Sequence, residues 1–168
     1  MSVKIKDYSP ELLKLYLGEK KRLVSLLPKS VIIEHIGSSA VGIGGKNIID
    51  ILIGVPSQND IKAVCDILTK NGYYAGNNAH QDRIFLASKK EETGEGDFHI
   101  HICATEGETY KDFITLRNYL KNNKMEALKY QNKKREFAQQ AGFDREKYKE
   151  LKSIYVSKLM ARAKKQPQ

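Results

Sequence analysis

Residues 36–53 read Ile-Gly-Ser-Ser-Ala-Val-Gly-Ile-Gly-Gly-Lys-Asn-Ile-Ile-Asp-Ile-Leu-Ile, and these types in this order can do chemistry on phosphates. Glycine lets a backbone come close to a phosphate, and free N–H groups at a turn can cradle its oxygens. Gly37, Ser38 and Ser39 supply such a turn, and the two hydroxyls add hydrogen bonds of their own. Lys46, in the glycine-rich stretch, can reach a phosphate as a point charge. Asp50 is the one carboxylate in an apolar run, so it needs a metal, a cation or a hydrogen-bond donor as partner. A salt bridge to Lys46 or to an arginine is the structural alternative. Arg83 and Arg117 are candidates for bidentate phosphate contact. Together these residues point to the handling of a nucleotide or another phosphorylated small molecule.

A second group carries imidazoles. His99 and His101 are two apart in an alternating segment, Phe98-His99-Ile100-His101-Ile102, which puts both on one strand face. That spacing makes them candidate metal ligands beside Asp50. Glu34 and His35 precede the Gly37 turn and point to opposite faces of their strand, so only one of them can join the site. His80 stands apart from both groups.

The elements that must hold these groups are readable from periodicity. Ser9-Pro10-Glu11 is a helix start, followed by apolar residues at helical spacing from Leu12 to Leu27, and Pro28 ends it. Val31 to Ile36 is a β-branched strand and Gly37 to Asn47 a loop. Ile48 to Val55 is apolar nearly throughout, as in a central strand buried on both faces. A helix follows from Asn59 or Asp60 to near Gly72. Short strands are expected at Tyr73-Tyr74, Arg83–Ala87 and Asp97–Cys103, with a hairpin connection over Lys89–Gly96. From Glu108 to about Lys165 the pattern is helical, broken at Asn122-Asn123 and at Gly142-Phe143-Asp144, and the Gln-Pro-Gln end is expected to fray. The reading is one α/β (α+β) domain over 1–168: a small mixed sheet flanked by helices at about 8–105, and a basic helical part at about 108–165.

Charge is unevenly spread. Residues 1–110 hold 13 Lys/Arg against 14 Asp/Glu, whereas residues 111–168 hold 16 against 6, so the whole net charge of +9 comes from the last third. Such a region attracts polyanions. Nucleic acid is the least favoured of these, because no base-stacking aromatic motif accompanies the lysines. Cys65 and Cys103 lack metal-ligand spacing and read as reduced thiols. Met1 to Tyr8 mixes charged and apolar types without a secretory apolar core, and no apolar run spans a bilayer, so a cytoplasmic protein without membrane partners is expected.

Several motifs coincide with one family. Glu34-His35-Ile36-Gly37-Ser38-Ser39-Ala40-Val41, Lys46, Ile49-Asp50-Ile51, Arg83-Ile84-Phe85-Leu86, the His-x-His strand, Leu116-Arg117-Asn118-Tyr119-Leu120, and the Tyr130…Lys133 and Tyr148…Lys152 spacings resemble the GrpB family over about residues 8–160. That resemblance implies a nucleotidyltransferase-like fold. The superfamily pattern runs from an apolar-Gly-Ser turn through nine to thirteen residues to an Asp-apolar-acid-apolar strand, which here is Ile36-Gly37-Ser38 and Asp50-Ile51-Leu52-Ile53. In that pattern alternating carboxylates, roughly 6.5–7 Å apart along the strand, converge on metal ions that neutralise the triphosphate.

The chain departs from the pattern in two places. Leu52 holds the second acid position, and His99 and His101 stand where a third acid is expected. Leucine cannot bind Mg²⁺, and imidazole prefers Mn²⁺, Zn²⁺ or Fe²⁺. Two readings therefore stand. One is a metal-dependent nucleotidyltransferase with Asp50 as the catalytic carboxylate and a divalent metal, Mg²⁺ or a transition metal such as Mn²⁺ or Zn²⁺, held by Asp50, His99, His101 and either His35 or Glu34. The other is a module that binds a nucleotide or anion and transfers nothing.

Overall fold

In a computed structural model of the chain, residues 3–76, 82–89 and 97–166 are described. The apolar run in the middle of the N-terminal half forms an interior strand of a mixed sheet, next to the central one. Three strands build its heart: β1 (Ile32–Ile36), β2 (Ile49–Val55) and, much later in the chain, β5 (Phe98–Ala104). Two shorter ones, β3 (Tyr74–Ala75) and β4 (Arg83–Ala87), complete it in the order β1-β2-β5-β4-β3. Among these strands the β2–β5 pair is parallel and the other pairs are antiparallel. Residues 90–96 of the expected hairpin connection lie outside the described residues, as do His80 and the last two residues.

Alternation along β2 divides the sheet into two chemistries. Ile49, Ile51, Ile53 and Val55 are fully buried among Ile33, Ile100, Ile102 and Leu86, under α1 (Glu11–Leu26) and α3 (Asp60–Lys70). The opposite face carries Asp50, Leu52 and Gly54. Register sets Ile36 and His99 beside Asp50, and Glu34 and His101 beside Leu52. Helix α4 (Glu108–Asn122) covers the far end of this face, with Tyr110, Phe113 and Ile114 against Ile36, Leu52 and Cys103. Gly54 permits that approach, since a Cβ there would stand 2.6 Å from the Tyr110 ring.

The helices α5 (Lys124–Ala141) and α6 (Arg145–Ala163) pack on α4 around Leu159, Leu120 and Tyr130. Their breaks fall at Asn123 and Gly142, close to the positions expected from the sequence. The stretch expected as an open loop after β1 begins instead with a single helical turn, α2 (Gly37–Val41). Gly37, at φ +73°, turns the chain out of the strand, and Gly42, at φ +81°, ends the turn. Cys65 and Cys103 are free thiols. Among the described residues no helix is long and apolar enough to cross a membrane.

Candidate functional site

Where β1 stops, the α2 turn, the following loop and the two C-terminal helices enclose a cleft of about 110 Å³. Its floor is Asp50 and His99; its walls include Ser38, Lys46, Tyr130 and Lys134. The backbone makes room for the carboxylate: a side chain at Gly37 would overlap Asp50 Oδ2. This close approach, together with the positive φ, explains why the turn needs glycine at this position.

Two imidazoles face Asp50 Oδ1, His99 through Nδ1 at 3.7 Å and His101 through Nε2 at 3.8 Å. Burial alone would raise the Asp50 carboxyl. The His101 and His99 imidazoles and the Lys152 ammonium outweigh it and hold the carboxyl below the usual aspartate range. The His101 ring is packed between Phe85 and Phe113, at 5.3 and 4.8 Å between centroids. Its Nδ1 is buried without a hydrogen-bond partner among the described residues.

The opposite wall is made by α5. Lys134 is only 3% exposed, and its Nζ donates to the Gly44 carbonyl and meets the Ser38 hydroxyl, both at 2.5 Å. It also lies 4.7 Å above the Tyr130 ring centroid. Burial, aided by the nearby Lys152 and Arg135 charges and opposed by Asp50, brings the Lys134 amine down to about 7. Gln131, one turn earlier on α5, accepts the Gly44 N–H at 2.5 Å, so the glycine loop is fastened to this helix at two points. From α6, Tyr148 and Lys152 line the same cleft. Each helix thus contributes a tyrosine and a lysine four residues later, on one face.

The residues expected to form the site divide into those the fold gathers and those it does not. Gly37, Ser38, Ser39, Lys46, Asp50 and His99 meet at the cleft, and His101 borders it beside Leu52. The Ser39 hydroxyl is engaged by His35 Nε2 at 2.9 Å. His35 lies on the other sheet face, stacked on Tyr16 at 4.0 Å between centroids, where burial lowers its imidazole to about 4. Glu34 shares the face of Asp50 but is bound to Arg117 Nη1 at 2.5 Å. Arg117 also donates to the His35 carbonyl, so it ties α4 to β1 rather than lining the cleft. Arg83 sits across from Cys103, its guanidinium 5.7 Å from the Phe113 centroid, away from the cleft.

Lys134 is the site residue that sequence reasoning passed over, while Tyr130 and Tyr148 entered it through motif spacings with no role in the site. It paired Tyr130 with Lys133, which instead meets Glu136 at 2.6 Å and is well exposed. The repeated Tyr-x-x-x-Lys spacing was the available signal. Asn47, at φ +61° on the cleft wall, with a buried Oδ1 that has no hydrogen-bond partner among the described residues, is a further residue of this kind.

The donor set does not match the two-magnesium arrangement. The second acid position is filled by Leu52, which is fully buried against Ile36 and Cys103. Among the described residues at the cleft floor, one carboxylate flanked by two imidazoles remains, a set unsuited to two hard cations.

Known proteins share this architecture. The profile of the family described as "GrpB protein" matches residues 2–162. A "Glutamate-rich protein GrpB" of Alkalihalophilus pseudofirmus is 28% identical, over 88% of this chain and 87% of that protein. A UPF0157 protein of Streptomyces coelicolor is 25% identical, over 97% and 85%. The crystal structure of the conserved protein GrpB from Enterococcus faecalis superposes with a TM-score of 0.82 at 25% identity, covering 95% of this chain and 96% of that one. The Cid1 poly(U) polymerase, in a structure bound to MgATP, reaches a TM-score of 0.51 at 16% identity, over 70% of this chain and 38% of that chain. This last likeness is one of fold.

Proposed function

The chain belongs to the GrpB family, and we propose that its cleft binds the phosphate groups of a nucleotide or another phosphorylated small molecule. The observation that carries this reading is the buried Lys134, held against Ser38 of the Gly-Ser turn at the cleft wall. A lysine is costly to bury, and desolvation opposes its charge. Asp50 offsets only part of that cost; a phosphate entering the cleft would add further negative charge beside the amine, with Ser38, Lys46 and Lys152 as further donors. The nucleotidyltransferase-like fold brings a glycine-serine turn and a strand aspartate together, which supports a nucleotide as ligand class. Two-magnesium nucleotidyl transfer is not part of the reading, because Leu52 replaces a required acid.

Isothermal titration of the purified chain with ATP, UTP, AMP and pyrophosphate, in buffer containing a metal chelator, tests the proposal. Saturable binding is expected with at least one of these ligands. Lys134→Met and Ser38→Ala should each weaken it about 10- to 100-fold, as for a lost charge-assisted hydrogen bond. Lys133→Met, on the exposed side of the same helix, should leave it unchanged. Absence of binding by all four ligands, or equal affinity in Lys134→Met, overturns the reading.

A further inference from the structure

One group in the cleft runs against its neighbours. Ser38, Lys46, Lys134 and Lys152 all suit an anion, yet the floor carries the Asp50 carboxylate. We propose that Asp50 sets the specificity of the cleft: it accepts a hydrogen bond from a protonated phosphate oxygen, and so admits phosphomonoesters while rejecting phosphodiesters and sulfate. The inference rests on the phosphate-binding reading and narrows its ligand class.

An ionised carboxylate accepts hydrogen bonds and cannot donate them. Burial alone would favour the protonated form of Asp50, but the His101 and His99 imidazoles and the Lys152 ammonium hold it ionised. The two imidazoles act on Oδ1 from 3.7 and 3.8 Å, a distance for charge rather than for a short hydrogen bond, so lone pairs of the carboxylate remain for a guest. Among the described residues no three of His, Cys, Asp and Glu are grouped to hold a metal ion, and an arriving anion meets the carboxylate directly.

A fully ionised oxyanion placed there faces like charge at the floor, and such a contact is a rejecting element. A phosphomonoester near its second ionisation, at about pH 6, still carries a proton. It gives that proton to a hydrogen bond with Asp50 and turns its other oxygens to Lys134 and Ser38, which meet at 2.5 Å on the cleft wall. Phosphodiesters and sulfate have no proton to offer at this pH.

Size points the same way. About 110 Å³ is well below the roughly 300 Å³ of the smaller pockets that enclose an organic ligand. Leu52, fully buried against Ile36 and Cys103, closes the sheet face beyond Asp50. One phosphate fits inside, and the group it esterifies stays outside.

Isothermal titration of the purified chain at pH 6, with chelator present, compares inorganic phosphate with sulfate and AMP with cyclic AMP. Phosphate and AMP should bind, and sulfate and cyclic AMP should bind at least about 100-fold more weakly, as when a site's hydrogen-bonding group is left unpaired. Asp50→Asn, whose amide can donate, should bind sulfate as well as phosphate, with folding checked by circular dichroism. Asp66→Asn, an exposed acid of α3 paired with Lys62, should keep the wild-type preference. Failure of phosphate and AMP to bind, sulfate bound as tightly as phosphate, cyclic AMP bound as tightly as AMP, or an unchanged preference in folded Asp50→Asn overturns the proposal. The wild-type comparisons decide it even where the variant does not fold. The phosphate-binding reading outlives each of these results if any of its own four ligands binds in a Lys134-dependent way, so the two can fail separately.

Discussion

Lys134 is a cation kept where cations are disfavoured, and that has a measurable sign. Its amine titrates at about 7 in the fold against 10.5 for an ordinary lysine. Between those values the unfolded chain holds a proton that the folded chain lacks. Stability therefore rises with pH across about pH 7 to 10.5, by up to ~1.4 kcal/mol per unit, and the full penalty is felt below pH 7. In urea unfolding, the difference between wild type and Lys134→Met should move in favour of wild type as pH rises through this window and stay flat below it. A difference that does not vary with pH would contradict the burial of the amine. The residue was hard to single out beforehand for a physical reason. Lys133 and Lys134 are adjacent around the helix, and only the contact with Ser38 and Gly44, some ninety positions away, decides which of them is buried. Asp50, His99 and His101, by contrast, were legible because a carboxylate in an apolar strand and a two-residue histidine spacing each imply a common face.

Among the elements, β1 and the α2 turn have the most particular design. His35 is the hinge pin between three pieces: it belongs to β1, stacks on Tyr16 of α1 and bonds Ser39 of α2. Its imidazole is held neutral, titrating at about 4 instead of 6.5. Protons bind the unfolded chain first, so the stability linked to this group is intact above about pH 6.5 and drains away as pH falls to 4. Roughly 3 kcal/mol is at stake. His35→Gln should flatten the acid side of the pH–stability curve in that window; an unchanged acid limb in the variant would refute the assignment. Strand and helix placement was largely readable, because Ile48–Val55 and the breaks near Asn123 and Gly142 carry strong local signals. The α2 turn was not, since five residues hold too little periodicity to show a helix, and its start depends on the left-handed Gly37.

At the scale of the whole molecule, the cleft exists only because α5 and α6 fold back toward the end of β1. Leu159 of α6 is fully buried in the cluster that joins the three C-terminal helices, and it does not line the cleft. Leu159→Ala should cost about 2–5 kcal/mol of stability in urea unfolding. It should also weaken phosphate-ligand binding through loss of the wall carrying Lys134 and Lys152, although no contact to ligand is removed. Full affinity in a destabilised Leu159→Ala protein would mean that the sheet side binds alone. The basic excess of the last third was visible in composition, but its use was not. Many of those lysines and arginines pair with nearby acids on exposed helix faces, as Lys149 does with Glu146 and Arg162 with Glu126.

Beyond Asp50 the sheet face turns from polar to hydrocarbon within one pleat, at Leu52, and α4 roofs the hydrocarbon stretch. Among the described residues the cleft therefore offers its polar contacts at one end alone. On the phosphate-binding reading, such a cleft would meet the charged terminus of a small molecule and not the middle of a polymer.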